Sequence, residues 1–456
     1  MKTSKKFRFD KKITIALIVI LVIAVAAVII HSYATSGSST GSSGVGIGKR
    51  SNTPDQILLS ITADEERADI SSRTLSWRTP DSMKESSIFL IMGNKPMDDP
   101  EWDTAVEISG IINSYLPKKY GKYNHFEAEI TGLAPGEYSY VIAPAGGFEA
   151  LASEPMSFTI PNADDIQMHS SMLFFGDTQP DASISEYELF GELVKTARDA
   201  HPDAGVALQC GDIGNQGDSP EEWGAFLKVA QTSFEGMPLM TSPGNHEVSP
   251  YVNNPSRKPE FYLNVFSLPK NGPEGLEEEF YSFDYGNIHV LSLSSNYMDP
   301  SETYSDDEKE AAEIAAKVNE WIENDLASTY KPWKIVLMHQ PAFPLAGDST
   351  TRGINEQWIP IFDRNYVDLI LCGHQHEFMR TWPQREGKEN KYGLVQMMGN
   401  ASQKYYESSS SAPSFVAFEA GGISGYHSIR ATEKELSVEA YNSAGKSIDF
   451  WSKNKQ

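Results

Sequence analysis

Residues 171–179 read Ser171-Met172-Leu173-Phe174-Phe175-Gly176-Asp177-Thr178-Gln179, and residues 206–212 repeat the pattern as Val206-Ala207-Leu208-Gln209-Cys210-Gly211-Asp212. Each is a short, mostly apolar run closed by glycine and then a carboxylate. Runs of this length bounded by glycine read as strands buried on both faces. A carboxylate just past the C-terminal end of such a strand stands where α/β sheets collect their ligands. Between the two, residues 185–200 carry Tyr187, Leu189, Phe190, Leu193 and Val194 at helical spacing. After them, Ser219-Pro220-Glu221-Glu222 has the form of a helix start, a serine cap followed by proline in the first turn. Strands alternating with helices predict an α/β domain over residues 168–456.

Three further motifs follow in the same half of the chain: Pro243-Gly244-Asn245-His246-Glu247, Ile335-Val336-Leu337-Met338-His339-Gln340-Pro341, and Leu369-Ile370-Leu371-Cys372-Gly373-His374-Gln375-His376. A lone Gly-Asp or a single histidine is ordinarily a structural group. Five such motifs in order, each after an apolar run or turn, point to chemistry. Hard divalent ions prefer oxygen ligands, whereas zinc and iron also accept imidazole, so a mixed set of Asp177, Asp212, Asn245, His339, His374 and His376 suits metal ions of this borderline kind.

The ordered set resembles the calcineurin-like metallophosphoesterase superfamily, and within it the purple acid phosphatase branch, from about Arg73 to the C-terminus. Phe280-Tyr281-Ser282-Phe283-Asp284-Tyr285-Gly286-Asn287-Ile288-His289-Val290 and Pro332-Trp333-Lys334-Ile335-Val336-Leu337 resemble the family's framework. The resemblance implies a four-layer α/β/β/α sandwich and two divalent ions, of Zn, Mn, Fe or Mg. Carried over motif by motif, Asp212 bridges the ions at roughly 3.5–4 Å separation, Asp177 and His376 complete one shell, and Asn245, His339 and His374 bind the other ion. His246 is then free to protonate a leaving oxygen, with Glu247 orienting its ring. The nucleophile implied is a metal-bound hydroxide. Two divalent ions outweigh two carboxylates, which leaves a pocket suited to phosphate.

Two positions depart from the pattern. Purple acid phosphatases have a tyrosine three residues after the bridging aspartate, and here Asn215 stands there. Related phosphoesterases have a histidine two residues after the first aspartate, and here the residue is Gln179. Both are candidate ligands through an amide oxygen, or hydrogen-bonding groups behind the ligands. Without a phenolate, two divalent ions are expected in place of ferric iron. The activity implied is hydrolysis of phosphomonoesters, with a phosphodiesterase or nucleotide hydrolase as the alternative use of the same site. A reading of another class is a surface binding protein with a degenerate phosphoesterase fold.

Residues 54–162 show period-two alternation, as in Arg73-Thr74-Leu75-Ser76-Trp77-Arg78 and Phe126-Glu127-Ala128-Glu129-Ile130, which predicts a β-sandwich. Thr131-Gly132-Leu133-Ala134-Pro135-Gly136-Glu137-Tyr138-Ser139-Tyr140 resembles the corner of a fibronectin type III-like domain, where a tyrosine hydrogen-bonds back to the chain. Trp77 and Tyr138 are expected in its core.

At the N-terminus, Lys2, Lys5, Lys6, Arg8, Lys11 and Lys12 precede an apolar run over residues 13–30. Residues 1–34 therefore read as a basic segment with a transmembrane anchor, or as a signal peptide cleaved near Ser32-Tyr33-Ala34. Residues 35–53 are a Gly/Ser linker. Either reading places the rest outside the cytoplasm. The whole chain has formal charge −24. Beyond residue 34, 32 basic against 61 acidic residues give −29. Such a surface argues against nucleic acid as a dedicated partner and does not exclude the small phosphorylated substrate that the resemblance implies, since salt screens surface charge within about 8–10 Å. Cys210 and Cys372 sit at the ends of apolar runs and read as small buried hydrophobes, and two cysteines build no disulfide framework. His289 reads as structural. A loop over residues 253–259, with Arg257 and Lys258, is read as solvated, or as reaching substrate.

Overall fold

The computed structural model describes residues 53–62, 70–113, 123–147, 152–248, 258–298, 308–408 and 411–455. The proposed anchor or signal over residues 1–34, and most of the linker, lie outside them. Among the described residues no helix is long and apolar enough to cross a membrane.

The N-terminal part is β-rich. Strands β1 (Asp55–Ser60), β2 (Arg73–Pro80), β3 (Ser86–Met92), β4 (Val106–Ser109), β5 (Ile111–Asn113), β6 (Tyr123–Ile130), β7 (Gly136–Pro144) and β8 (Met156–Ile160) form two four-stranded sheets. Their orders are β1-β2-β6-β5 and β4-β3-β7-β8. Alternate residues, Leu75, Trp77, Phe126 and Ala128 from one sheet and Ile88, Leu90, Tyr140 and Ile142 from the other, share one core. Trp77 stacks on Phe126 with centroids 5.7 Å apart. Tyr138 Oη donates to Ala134 O at 3.0 Å, closing the corner between β6 and β7.

The second part holds two larger sheets. One runs β11 (Leu239–Thr241), β10 (Val206–Gln209), β9 (Ser170–Phe175), β21 (Gly425–Ala431), β22 (Glu435–Asn442), β23 (Ser447–Asn454). The other runs β12 (Phe280–Tyr285), β13 (Ile288–Leu293), β14 (Trp333–Met338), β15 (Leu369–Cys372), β19 (Val395–Met398), β16 (Phe378–Thr381), β20 (Val416–Ala420). A two-stranded hairpin, β17 (Gln384–Arg385) with β18 (Lys388–Glu389), stands apart.

Alternation along the central strands decides the layering. Ile335, Leu337, Leu369 and Leu371 enter the same core as β9 and β10, whereas Val336, Met338 and Ile370 enter a second core with Val318, Ile322 and Leu326 of α3 (Glu308–Ser328). On the far side, Phe175 packs on Phe190 of α1 (Tyr187–Ala200) and on Phe234, just beyond α2 (Pro220–Ser233). Helix, sheet, sheet and helix therefore stack in that order, and the central strands β9, β10, β14 and β15 are largely apolar on both faces because both faces are covered.

The β-rich part is fastened to this stack. Ile57 N donates to Gln231 Oε1 at 3.2 Å, Ser76 Oγ to Val265 O at 2.7 Å, and Asn113 Nδ2 to Leu263 O at 3.1 Å. Lys270 and Ser267 both reach Glu127, each at 2.8 Å. Residues 47–456 accordingly form one compact unit.

His289 is structural in a specific way. It sits opposite Asp284 across the β12–β13 pair, and its Nδ1 and Nε2 meet Asp284 Oδ1 at 2.8 Å and Asp325 Oδ2 of α3 at 2.7 Å. Donating to two carboxylates requires a proton on both nitrogens. Burial pushes its pKa down, but the two hydrogen bonds and charges override this and raise it to about 9. The stability this supplies is complete below the ordinary histidine value near 6.5 and is lost as pH rises through about 9. Thermal unfolding at pH 6 and pH 9.5 should show wild type losing a few kcal/mol more than His289→Gln, since each tenfold gain in proton affinity on folding is worth about 1.4 kcal/mol. Equal losses in both proteins would refute the protonated bridge.

Candidate metal centre

The loops after the C-terminal ends of β9, β10, β11, β14 and β15 converge, and they carry the five motifs. Two ligand groups form there: Asp212, His339 and His374, and Asp177, Asp212 and His376. Within each, one potential ligand atom per residue lies within 4.8 Å of the others. Asp212 belongs to both. Asp177, Asp212, His339 and His376 are buried, while Asn245, His246 and His374 are half-buried, so the centre opens on that side.

Close backbone approach makes the arrangement possible. A Cβ on Gly244 would stand 2.3 Å from Asp212 Oδ1, and one on Gly373 2.4 Å from Asp177 Oδ2. Asp212, His374 and His376 themselves adopt φ of 51°, 71° and 51°, the left-handed region that costs non-glycine residues energy. Hydrogen bonds hold them there. Asp212 N donates to Glu247 Oε2 at 2.8 Å, and His374 N lies 2.9 Å from both oxygens of Asp177. Gln209, polar within an otherwise apolar run, bonds both N–H and C=O of Gly211 and also Gly176 O, tying the first two turns together.

Each histidine has its outward nitrogen engaged. His339 Nδ1 donates to Cys210 O at 3.0 Å, which turns Nε2 towards Asp212 Oδ2 and Asn245 Oδ1, both at 3.1 Å. His376 Nδ1 donates to Lys404 O at 2.9 Å, leaving Nε2 inward. His374 is reversed. Its Nε2 meets Asp348 Oδ2 at 2.7 Å, and Nδ1 faces Asn245 Oδ1 at 3.0 Å. Fixing the outer nitrogen in this way sets tautomer and ring direction, as metal-ligating histidines require.

His246 has its backbone N on Asp212 Oδ1 at 3.0 Å, and its Nδ1 donates to Asn215 O at 2.6 Å. Nε2 lies 3.9 Å from Asp212 Oδ2. The expected orienting role of Glu247 is corrected by these contacts. Its carboxylate is buried and accepts from the backbone N–H groups of Asp212, Ile213 and Gly244, so it braces two ligand loops, and the Asn215 carbonyl holds the ring. Asn215 hydrogen-bonds behind the candidate ligands, the second of its two expected roles. Its side-chain Nδ2 donates to Pro180 O at 2.7 Å, and what it offers the centre is its backbone carbonyl. Gln179 does reach the cluster, with Nε2 3.0 Å from Asp212 Oδ2 and 3.2 Å from His376 Nε2. Of the loop over residues 253–259, only Lys258 and Pro259 are described, and Lys258 Nζ donates to Gly275 O.

The electrostatics fit a cation. Burial pushes the Asp212 carboxyl up, yet His339, His246 and His374 hold it well below the usual carboxylate range. His339 answers it: burial pushes its imidazole down, and the Asp212 charge raises it to about 9. A proton on a buried imidazole is doing what a metal ion would do, compensating a desolvated carboxylate. Burial lowers His376. Burial pushes the Asp348 carboxyl up, but the hydrogen bond and charge of His374 bring it to about 2. Two carboxylates, one amide oxygen and three pre-oriented imidazoles suit divalent ions that accept mixed N/O ligands. Both cysteines are buried and free.

Residues 171–378 match the model of the family described as calcineurin-like phosphoesterase. The chain carries a calcineurin-like phosphoesterase domain. An uncharacterized protein of Mycobacterium tuberculosis is 30% identical over 178 residues, 37% of this chain and 32% of that protein. Purple acid phosphatase 21 of Arabidopsis thaliana is 25% identical over 188 residues, 40% of each chain. This chain thus spans about a third to two fifths of the length of these relatives. The structure of a purple acid phosphatase from yellow lupin seeds superposes with TM-score 0.67 at 18% identity, covering 88% of this chain and 74% of that one, a likeness of fold. The calcineurin-like domain belongs to a family that uses divalent metals, in keeping with the ligand groups here.

Asp348 escaped sequence reading because it lies in no motif, and Gln209 because nothing in its motif marks it apart from the strand. Asp348 is known only through the loop that returns it to His374, and Gln209 only by being polar in a buried strand. Replacing Asp348 with alanine frees the His374 ring and should weaken binding of Mn²⁺ or Zn²⁺ about ten- to a hundredfold by calorimetry, and an unchanged constant would refute its orienting role.

Proposed function

We propose that this chain is a metal-dependent phosphatase that hydrolyses phosphomonoesters at a centre where Asp212 is shared by two divalent ions, of Zn, Mn, Fe or Mg. The observation that carries this reading is the convergence of two ligand groups on Asp212 with His246, a member of neither, beside it. Asp177, Asp212 and His376 would hold one ion, and Asp212, Asn245, His339 and His374 the other. Such ions polarise phosphate oxygens and lower the pKa of water towards neutrality.

The chain's own residues do the rest. The open side between Asn245, His246 and His374 is where a phosphate ester can enter. His246, its Nδ1–H committed to Asn215 O, presents Nε2 to that side, placed to carry a proton to the departing ester oxygen. Asp348, by holding the His374 ring, and Glu247, by bracing the loops of Asp212 and Gly244, keep the ligands in place before substrate arrives, which is how such sites avoid reorganisation.

The basic cluster and apolar run before residue 31 support export, with that segment as a membrane anchor or cleaved signal. The strand order of the β-rich part and the Tyr138–Ala134 hydrogen bond support a fibronectin type III-like sandwich. The charge of −29 beyond residue 34 speaks against nucleic acid as a dedicated partner, and the small phosphorylated substrate rests on the metal centre.

The test uses purified protein supplied with Mn²⁺ or Zn²⁺, assayed on 4-nitrophenyl phosphate and on bis(4-nitrophenyl) phosphate. The monoester should be the better substrate. Asp212→Asn should lose both bound metal and activity, and His246→Ala should lower kcat about 10²–10⁴-fold with bound metal unchanged. Preference for the diester would convert the reading to a phosphodiesterase. Metal binding without hydrolysis of either would reduce it to a phosphate-binding protein.

A further inference from the structure

Asn245 and Gln179 are both amides at the centre, and they face it in opposite senses. Asn245 turns its oxygen inward, 3.1 Å from His339 Nε2 and 3.0 Å from His374 Nδ1. Gln179 turns its nitrogen inward, 3.0 Å from Asp212 Oδ2 and 3.2 Å from His376 Nε2. The cause is Lys404, whose Nζ donates to Gln179 Oε1 at 2.8 Å.

An ammonium has three donors and no acceptor, and a carboxylate only accepts. The amide between them can therefore lie one way only. Turned over, it would set N–H₂ against the ammonium and its oxygen against the Asp212 carboxylate, two repulsive contacts in a buried place. Chemistry at both ends thus assigns the orientation. An amide binds metal through oxygen, so Gln179 as held here is no ligand. Its N–H₂ instead engages Asp212 Oδ2 and approaches His376 Nε2, the same lone pairs that an ion between Asp177, Asp212 and His376 needs.

Lys404 acts a second time through its backbone, because its carbonyl is the acceptor that directs His376. The loop carrying it follows β19 and is pinned beside Asp177: Asn400 bridges to Asp177, and Ser402 Oγ both donates to Lys404 O and accepts from Lys404 N. The lysine is half-buried. The neighbours of Asn245 Oδ1 are two imidazole nitrogens, His339 Nε2 and His374 Nδ1, and an imidazole gives up its proton to an incoming ion as an amide N–H₂ cannot.

We propose that Lys404 and Gln179 form a latch that makes the two ion positions unequal: the Asp212/Asn245/His339/His374 position fills first, and the Asp177/Asp212/His376 position fills only when an ion displaces the Gln179 N–H₂ and tolerates the Lys404 charge. The inference rests on reading these two groups as ligand sets. Its consequence is a protein that carries one ion at low metal and gains the second as metal rises, so that occupancy of the second position follows the metal supply. Lys404 is a positioning residue here.

Titration of the metal-free full chain with Mn²⁺, read by calorimetry and by the bound-metal content without any substrate, tests this directly. Wild type should bind one ion at least tenfold more tightly than a second. Lys404→Met, which keeps the length and loses donor and charge, should tighten the second ion at least tenfold and leave the first unchanged. Gln179→His, which replaces N–H₂ by an imidazole, should do the same and decides the matter if Lys404→Met fails to fold by circular dichroism. Asn245→Ala should remove the tight ion in every background. Two equally tight ions in wild type, or a second constant unmoved in folded Lys404→Met and Gln179→His, would overturn the latch. Because no turnover is measured, that outcome is distinct from failure of the phosphatase reading, which would show as bound metal without hydrolysis.

Discussion

The carboxylate of Asp212 is buried just beyond β10 and shared by both ligand groups, and a charge so placed persists only where donors and positive charge surround it. Much of the centre answers that demand. His246 N caps one oxygen, Gln179 Nε2 and His339 Nε2 face the other, and the imidazoles of His339, His246 and His374 supply the charge that keeps it ionised. The same surplus of nearby donors makes the position attractive to cations, because a metal ion can replace several partial compensations with one full one.

Meeting the demand distorts the backbone. Asp212, His374 and His376 all lie at positive φ, where each non-glycine residue costs on the order of 1–3 kcal/mol. The cost is offset locally. Glu247 gathers three backbone N–H groups from the Asp212 and Gly244 loops, although burial and the charge of Asp212 push its own carboxyl up to about 7. A buried acid kept among donors that favour its charged form is a brace whose strength depends on staying an acceptor. That explains why a carboxylate adjacent in sequence to His246 is not spent on orienting it: the frame around Asp212 has the stronger claim, and a backbone carbonyl suffices for the ring.

How much of this could be read from the chain alone divides along a physical line. The strands before Asp177, Asp212, His339 and His374 were legible because both faces of each are buried, which writes a mostly apolar run, ended by glycine in all but the His339 strand. The alternation of residues 54–162 predicted the β-rich part in the same way, and the helix over residues 185–200 was visible in its period. The candidate ligands were legible as residues because they follow those strand ends, where the structure brings Asp177, Asp212, His339, His374 and His376 together. What supports them was not. Asp348 and Lys404 sit in loops with no periodicity, and their pairing with His374 and Gln179 is created by long-range closure. Glu247 was visible as a residue and misread in role, because adjacency in sequence says nothing about which way two neighbouring side chains point.

Asn245 and Gln179 carry that argument furthest. The two side chains have the same amide, and sequence reasoning treats them alike, as neutral oxygen donors near a metal. Their difference lies wholly in what stands behind each. Asn245 is met by imidazole nitrogens whose lone pairs and protons can adapt to an inward oxygen, whereas Gln179 is met by an ammonium that cannot accept a hydrogen bond under any tautomer. The orientation of an amide is a property of its neighbours' donor and acceptor inventory, so the inward-facing nitrogen of Gln179 follows from a lysine more than two hundred residues away. A motif specifies which atoms are present at such a centre, and only the fold specifies which of them face inward.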